Sequence, residues 1–162
     1  MHLGETLLVL GALVIFSLAA LYLNDSKFDN DMTLMETEFR ITAIGIAQSF
    51  LEEAQSLKFD EILNDTTFTV GLPDNFTDVA SLGPEIGESY PNFDDVDDFN
   101  GYSANINTPR ADYNVDIIVS YADSANINPV YLNKSFLKIM AVKVTSIFFS
   151  DSIKLDYLYS YR

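Results

Sequence analysis

Residues 1–23 read MHLGETLLVLGALVIFSLAALYL. From Thr6 to Leu23 the chain carries no charge, and only Thr6, Ser17 and Tyr22 soften its apolar run. Coiled as an α-helix, these residues measure about 27 Å, close to the hydrocarbon thickness of a bilayer. The stretch can therefore span a membrane, and it sets the N-terminal part of the fold as helix. A plain anchor does not explain Glu5, which stands one residue before the run. A carboxylate at apolar depth costs about 2.5–3.5 kcal/mol or more unless it is neutralised or paired. Glu5 thus needs either a cationic partner or a place at headgroup level, where a helix N-terminus favours an acid.

On either side of the run the charges are unusual for a membrane segment. The residues before it offer no Lys or Arg, and the flank after it, Asn24, Asp25, Lys27, Asp29 and Asp31, is net acidic. A cleavable secretory signal has a basic start and a small-residue cleavage site after a shorter apolar core, and neither is present. An ordinary signal anchor keeps Lys or Arg on its cytoplasmic side. The missing basic flank leads to the expectation of a leader already removed.

Helical spacing continues past the apolar run. Leu34, Met35, Phe39, Ile46, Phe50, Leu51, Ala54 and Leu57 recur at three- and four-residue intervals, with Glu36, Arg40, Glu52, Glu53 and Lys58 largely elsewhere on the wheel. No proline precedes Pro73. The expectation is one helix from about residue 2 to residue 57, roughly 80 Å long, whose second half is amphipathic and carries a domain outside the membrane.

Residues 59–112 change character. They hold four of the five prolines, the glycines Gly71, Gly83, Gly87 and Gly101, and no Lys or Arg before Arg110. This segment reads as a long acidic loop in which Thr66–Val70, TTFTV, has the β-branched content of a short strand. Beyond it, residues alternate with a period of two. Tyr113, Val115, Ile117, Val119 and Tyr121 point one way, as do Met140, Val142 and Val144, and then Ile153, Leu155, Tyr157, Tyr159 and Tyr161. Short polar turns, Asn126 to Pro129 and Ser150 to Ser152, join these runs into an antiparallel meander over 113–162. Its apolar face needs a cover, and the amphipathic helix half supplies one. The predicted class is α+β, a long N-terminal helix packed on a three- to four-stranded antiparallel sheet. The organisation is 1–23 hydrophobic helix half, 24–58 amphipathic half, 59–112 loop region and 113–162 sheet.

With 24 acidic residues against 9 basic ones the net charge is −15, which disfavours nucleic acid as a partner. The chain has no Cys, and its one His, His2, precedes the apolar run, so thiol chemistry and a Ser-His-Asp arrangement have no material. The expectation is a protein without enzymatic activity. Asn92–Tyr102, NFDDVDDFNGY, concentrates carboxylates at a density that suits a hard cation such as calcium. Asp94, Asp97 and Asp98 are the residues expected to hold one Ca2+ ion, with a solvated acidic loop as the alternative. Sequons at Asn64, Asn75 and Asn133 permit glycosylation.

Glu5 followed at once by an uninterrupted apolar helix resembles the mature N-terminus of a type IV pilin or pseudopilin. The likeness is carried by residues 1 to about 57 and extends to the rest by layout. It implies a structural subunit with an inner-membrane precursor pool, built by a pilus or secretion machinery into a homo-oligomeric helical filament at the cell surface. It also implies that Glu5 pairs with the N-terminal amine of Met1 in a neighbouring copy, an amine that the family's processing methylates. A minor pseudopilin and a single-span membrane protein with a binding or sensor domain are the alternatives.

Overall fold

The computed structural model describes residues 3–61, 76–123 and 133–161, together with the backbone of residues 129–130. Its elements are a helix α1 (Leu3–Gln55) and strands β1 (Ser103–Asn107), β2 (Asp112–Ala122), β3 (Pro129–Val130), β4 (Leu137–Thr145) and β5 (Ile153–Ser160). The chain divides into two compact units, Met1–Glu38 and Phe39–Arg162, with the division falling inside α1.

The described part of the first unit is helix. Ser17 and Thr33 turn their hydroxyls onto the carbonyls of Leu13 and Asp29, four residues back, which satisfies polar side chains without leaving the helix.

In the second unit the sheet runs in the order β1-β2-β4-β5, with every pair antiparallel, and β3 adds two residues to the β2 edge that β1 also uses. Register follows from the alternation. Val115 faces Val144, Ile117 faces Val142 and Val119 faces Met140, and all six side chains are buried. Residues 39–55 of α1 lie over this face through Ala43, Ala47, Phe50, Leu51 and Ala54. Three of those five are alanines with no exposed surface, so the helix backbone comes close to the sheet. Tyr159 donates its hydroxyl to the Leu51 carbonyl at 2.9 Å, and Phe39 stacks on Phe148 with ring centroids 4.3 Å apart.

The fold is thus the α+β arrangement expected, a long N-terminal helix and a four-stranded antiparallel sheet, with four corrections in detail. The helix ends at Gln55, and Ser56 and Leu57 close its last turn by donating to Glu53 and Ala54. Leu34 and Met35, expected on the covered face, are exposed. The loop region contains an unexpected strand, β1, whose sequence SANIN has little apolar character. Side chains supply what apolar packing does not: Ser103 donates to Asp116 at 2.9 Å, Asn105 to Asn114 at 2.9 Å, and Asn107 to Asp112, each across the ladder to β2. Pro129, expected in a turn, pairs with Ala122 as part of β3. The TTFTV strand at 66–70 lies outside the described residues.

Candidate functional site

Two features hold the residues singled out by the sequence. The first is the N-terminal half of α1. Its large apolar side chains from Leu3 to Leu23 are each between 56% and 82% exposed among the described residues. Glu5 lies in the first helical turn and is itself exposed, and among the described residues no cation lies against it. The segment is long and apolar enough to cross a membrane, with a mean hydropathy of 2.5 over its best window. Met1 lies outside the described residues.

The second feature is the acidic segment 94–98. It is held from two sides. On one, Val96 donates to the Lys58 carbonyl at 3.0 Å and Lys58 to the Asp94 carbonyl at 3.3 Å, a short bridge between the chain leaving the helix and the loop. On the other, Gly101 donates to Ile117 and Ile117 to Tyr102, and the Asn100 amide fills the next position of the β2 edge by accepting from Val119 at 3.0 Å and donating to Leu82 at 2.9 Å. Gly101 makes the turn into β1 with φ of +79°, a conformation that favours glycine.

This clamp sets carboxylates in the interior around one lysine. Lys138 belongs to the same alternation as Met140 and Val142, so its side chain enters the core, where it has no exposed surface. Its Nζ donates to the Phe59 carbonyl at 2.6 Å, to Asp60 Oδ2 at 2.9 Å and to Asp97 Oδ1 at 2.5 Å. The ring of Phe59 lies 4.7 Å and that of Tyr121 5.4 Å from the ammonium. Asp60 in turn accepts from the Thr77 backbone and hydroxyl and from the Tyr121 hydroxyl. Burial, and then the charge of Asp60, push the Tyr121 hydroxyl up from its usual range.

Asp95 and Asp98 complete the segment. Asp95 Oδ1 accepts the amides of Asp97 and Asp98, and Asp98 Oδ2 those of Asp94 and Asp95. Burial, reinforced by the hydrogen bond to Asp97 and that neighbour's charge, raises Asp95 to about 9, with Lys138 opposing the shift. Asp95 therefore carries a proton at neutral pH. Asp95 Oδ2 and Asp97 Oδ2 are both buried, and neither accepts from a donor among the described residues. Asp98 is raised as well, chiefly by burial.

The three residues expected to hold one calcium ion are thus divided. Asp97 is committed to Lys138. Asp94 groups with Glu61 and Asp95, and also meets Lys58 at 3.6 Å, whereas Asp98 groups with Glu85 and Glu88, each group bringing its carboxylate oxygens within 4.8 Å of one another. Within the second group burial, and then the Glu88 side chain, raise Glu85 to about 7. Of the sequons, Asn133 is exposed, and Asn64 and Asn75 lie outside the described residues. Asp60, Asp95 and Lys138 are the site residues that sequence reasoning missed. The signal for Lys138 was its parity with Met140, which put a lysine on the core face opposite a segment rich in acids. Neither a protein family, nor a curated protein, nor a solved structure matches this chain.

Proposed function

We propose that the protein is a structural subunit of a type IV pilus-like filament, whose activity is self-association through the N-terminal half of α1. The observation that supports this most is a long apolar helical surface, exposed in the single chain, that begins beside an exposed carboxylate, Glu5. Before assembly, lipid covers that surface. In the filament, the same segments of neighbouring copies do so at little hydrophobic cost, because both environments are apolar, and packing and polar pairing select the register. Glu5 gains the N-terminal amine of a neighbouring copy as its partner, which removes the cost of an isolated acid. The acidic unit Phe39–Arg162 then forms the outer surface at the cell exterior.

Glu5→Ala decides the matter. The variant is expected to reach the membrane at wild-type level and to yield at least tenfold fewer filaments in a shear-and-pellet assay, counted by electron microscopy. Wild-type filament yield from Glu5→Ala would remove the register role. Membrane-bound wild-type protein with no filaments would favour the single-span binding or sensor protein, and scarcity within filaments built mostly of another subunit would favour the minor pseudopilin.

A further inference from the structure

Beside the acidic segment, a cavity of about 420 Å³ lies between the turn 84–88 and the start of β1. Tyr90, Phe93 and Tyr102 line it with aromatic surface, their ring centroids 5.0, 5.7 and 5.8 Å apart. Helix α1 holds these rings in place: the Tyr90 hydroxyl donates to Glu53 at 3.1 Å, and Tyr102 lies against Phe50 with centroids 5.8 Å apart. Glu88 and Asp98 add carboxylates, and no Lys or Arg is among the described residues that line the cavity. Asp98 is 1% exposed. Its Oδ2 accepts the amides of Asp94 and Asp95 at 2.9 and 3.2 Å, whereas no donor among the described residues reaches its Oδ1.

We propose that this cavity binds a primary alkylammonium group, whose N–H donors reach Asp98 Oδ1 and the Glu88 carboxylate while its alkyl chain lies along Tyr90, Phe93 and Tyr102. Three observations select that class. A buried acceptor without a donor bears the full cost of its lost water, so Asp98 Oδ1 calls for a donor from outside the chain. Two carboxylates with no basic side chain beside them on the wall call for a positive charge, and Glu85 brings a third carboxylate oxygen within 4.8 Å of theirs. Aromatic faces attract the same charge within about 6 Å and offer apolar surface to the methylenes behind it.

The same features rank the other cations. A quaternary ammonium suits the rings but has no N–H for Asp98 Oδ1. A calcium ion takes about six to eight oxygen ligands and gains nothing from an aromatic wall. The volume falls instead among pockets for organic molecules, about 300–1,000 Å³. A free alkylamine and the side chain of a lysine in a peptide share the recognised chemistry, and differ in whether a peptide backbone is accepted at the mouth.

Nuclear magnetic resonance of the full-length protein in detergent, with its tyrosine and phenylalanine rings labelled, tests this. Titration with n-butylammonium chloride should shift the Tyr90, Phe93 and Tyr102 signals saturably, with a Kd on the order of 1 mM or tighter for so small a ligand. Tetramethylammonium chloride should bind at least about tenfold more weakly, for want of an N–H donor. Nα-acetyl-lysine methylamide binding as well as n-butylammonium would support the site with a peptide lysine as its ligand, and n-butylammonium alone would support it with a free amine. Asp98→Asn should weaken n-butylammonium at least about tenfold, and Glu88→Gln, on the more accessible side, about fivefold. Should Asp98→Asn fail to fold, Glu88→Gln and Tyr90→Leu carry the test, since each should weaken binding in protein of wild-type circular dichroism. Signals that do not saturate in folded wild type at about tenfold above that concentration would overturn the proposal. So would tetramethylammonium binding as tightly, calcium chloride shifting the same rings where n-butylammonium does not, or unchanged affinity in Glu88→Gln and Tyr90→Leu.

Discussion

Asp95 holds a proton in the folded chain at a pH where an unfolded aspartate, with a pKa of about 3.9, has lost it. The folded state therefore binds more protons than the unfolded state between roughly pH 4 and pH 9, and the stabilisation that Asp95 contributes is full below that window and is lost as the pH rises through it. The slope for one such group is at most about 1.4 kcal/mol per pH unit. Thermal unfolding followed from pH 6 to pH 9 should show the midpoint of wild type falling, and that of Asp95→Asn falling measurably less. Equal slopes would mean that Asp95 is ionised in the fold. At this scale the sequence was only partly legible. The density of carboxylates in NFDDVDDFNGY singled out a segment in which the fold buries Asp95, Asp97 and Asp98, but spacing along a loop does not reveal which oxygens turn inward. That depends on Lys138 and Asp60, which lie far away along the chain and are delivered by the strand alternation and by the chain leaving the helix.

Among the elements, the helix over the sheet yields the sharpest contrast. Ala47 faces the sheet with no exposed surface, whereas Gly45, two residues earlier, has open space where a side chain would go. Enlarging the first should overpack the layer, and Ala47→Leu is expected to lower stability by about 1–3 kcal/mol. Filling the second adds helix propensity without a clash, and Gly45→Ala is expected to raise stability by about 0.5–1 kcal/mol. Denaturant midpoints of the two variants should move in opposite directions, and a shift of both the same way would contradict the close approach of helix and sheet. The periodicities gave α1, β2, β4 and β5 because those elements bury one apolar face. They did not give β1, since Asn105 and Asn107 are poor strand formers by propensity, and their cross-strand hydrogen bonds to Asn114 and Asp112 exist only once β2 is in place. Ala43, Ala47 and Ala54 lie on the covered face with no exposed surface beside the bulkier Phe50 and Leu51, whereas Leu34 and Met35 fall in the Met1–Glu38 unit and are exposed.

For the molecule as a whole, the net charge of −15 opposes any assembly that brings copies together. Repulsion between exposed charges is screened over about 10 Å at 0.1 M salt and reaches about 30 Å at 0.01 M. If filaments form through the apolar part of α1, sedimentable assembly should be greater at the higher ionic strength, since apolar contacts are not weakened by screening. Assembly that falls as salt is added would instead indicate attraction between charged surfaces. The two halves of this behaviour are legible in the sequence as two compositions, an uncharged run up to Leu23 and an acidic remainder. What composition could not convey is that four of the acids, Asp60, Asp95, Asp97 and Asp98, are buried.

The clamp on the β2 edge has a bearing on chemical ageing. Asn100 is followed by Gly101, the pairing in which a backbone nitrogen most readily attacks the preceding side-chain amide, expels ammonia and leaves aspartate or isoaspartate behind. Here the glycine nitrogen is engaged with Ile117, and both ends of the asparagine amide are held, by Val119 and by Leu82. The fold thus shelters its most perishable dipeptide, so that deamidation at Asn100 becomes a clock that runs only while the chain is open.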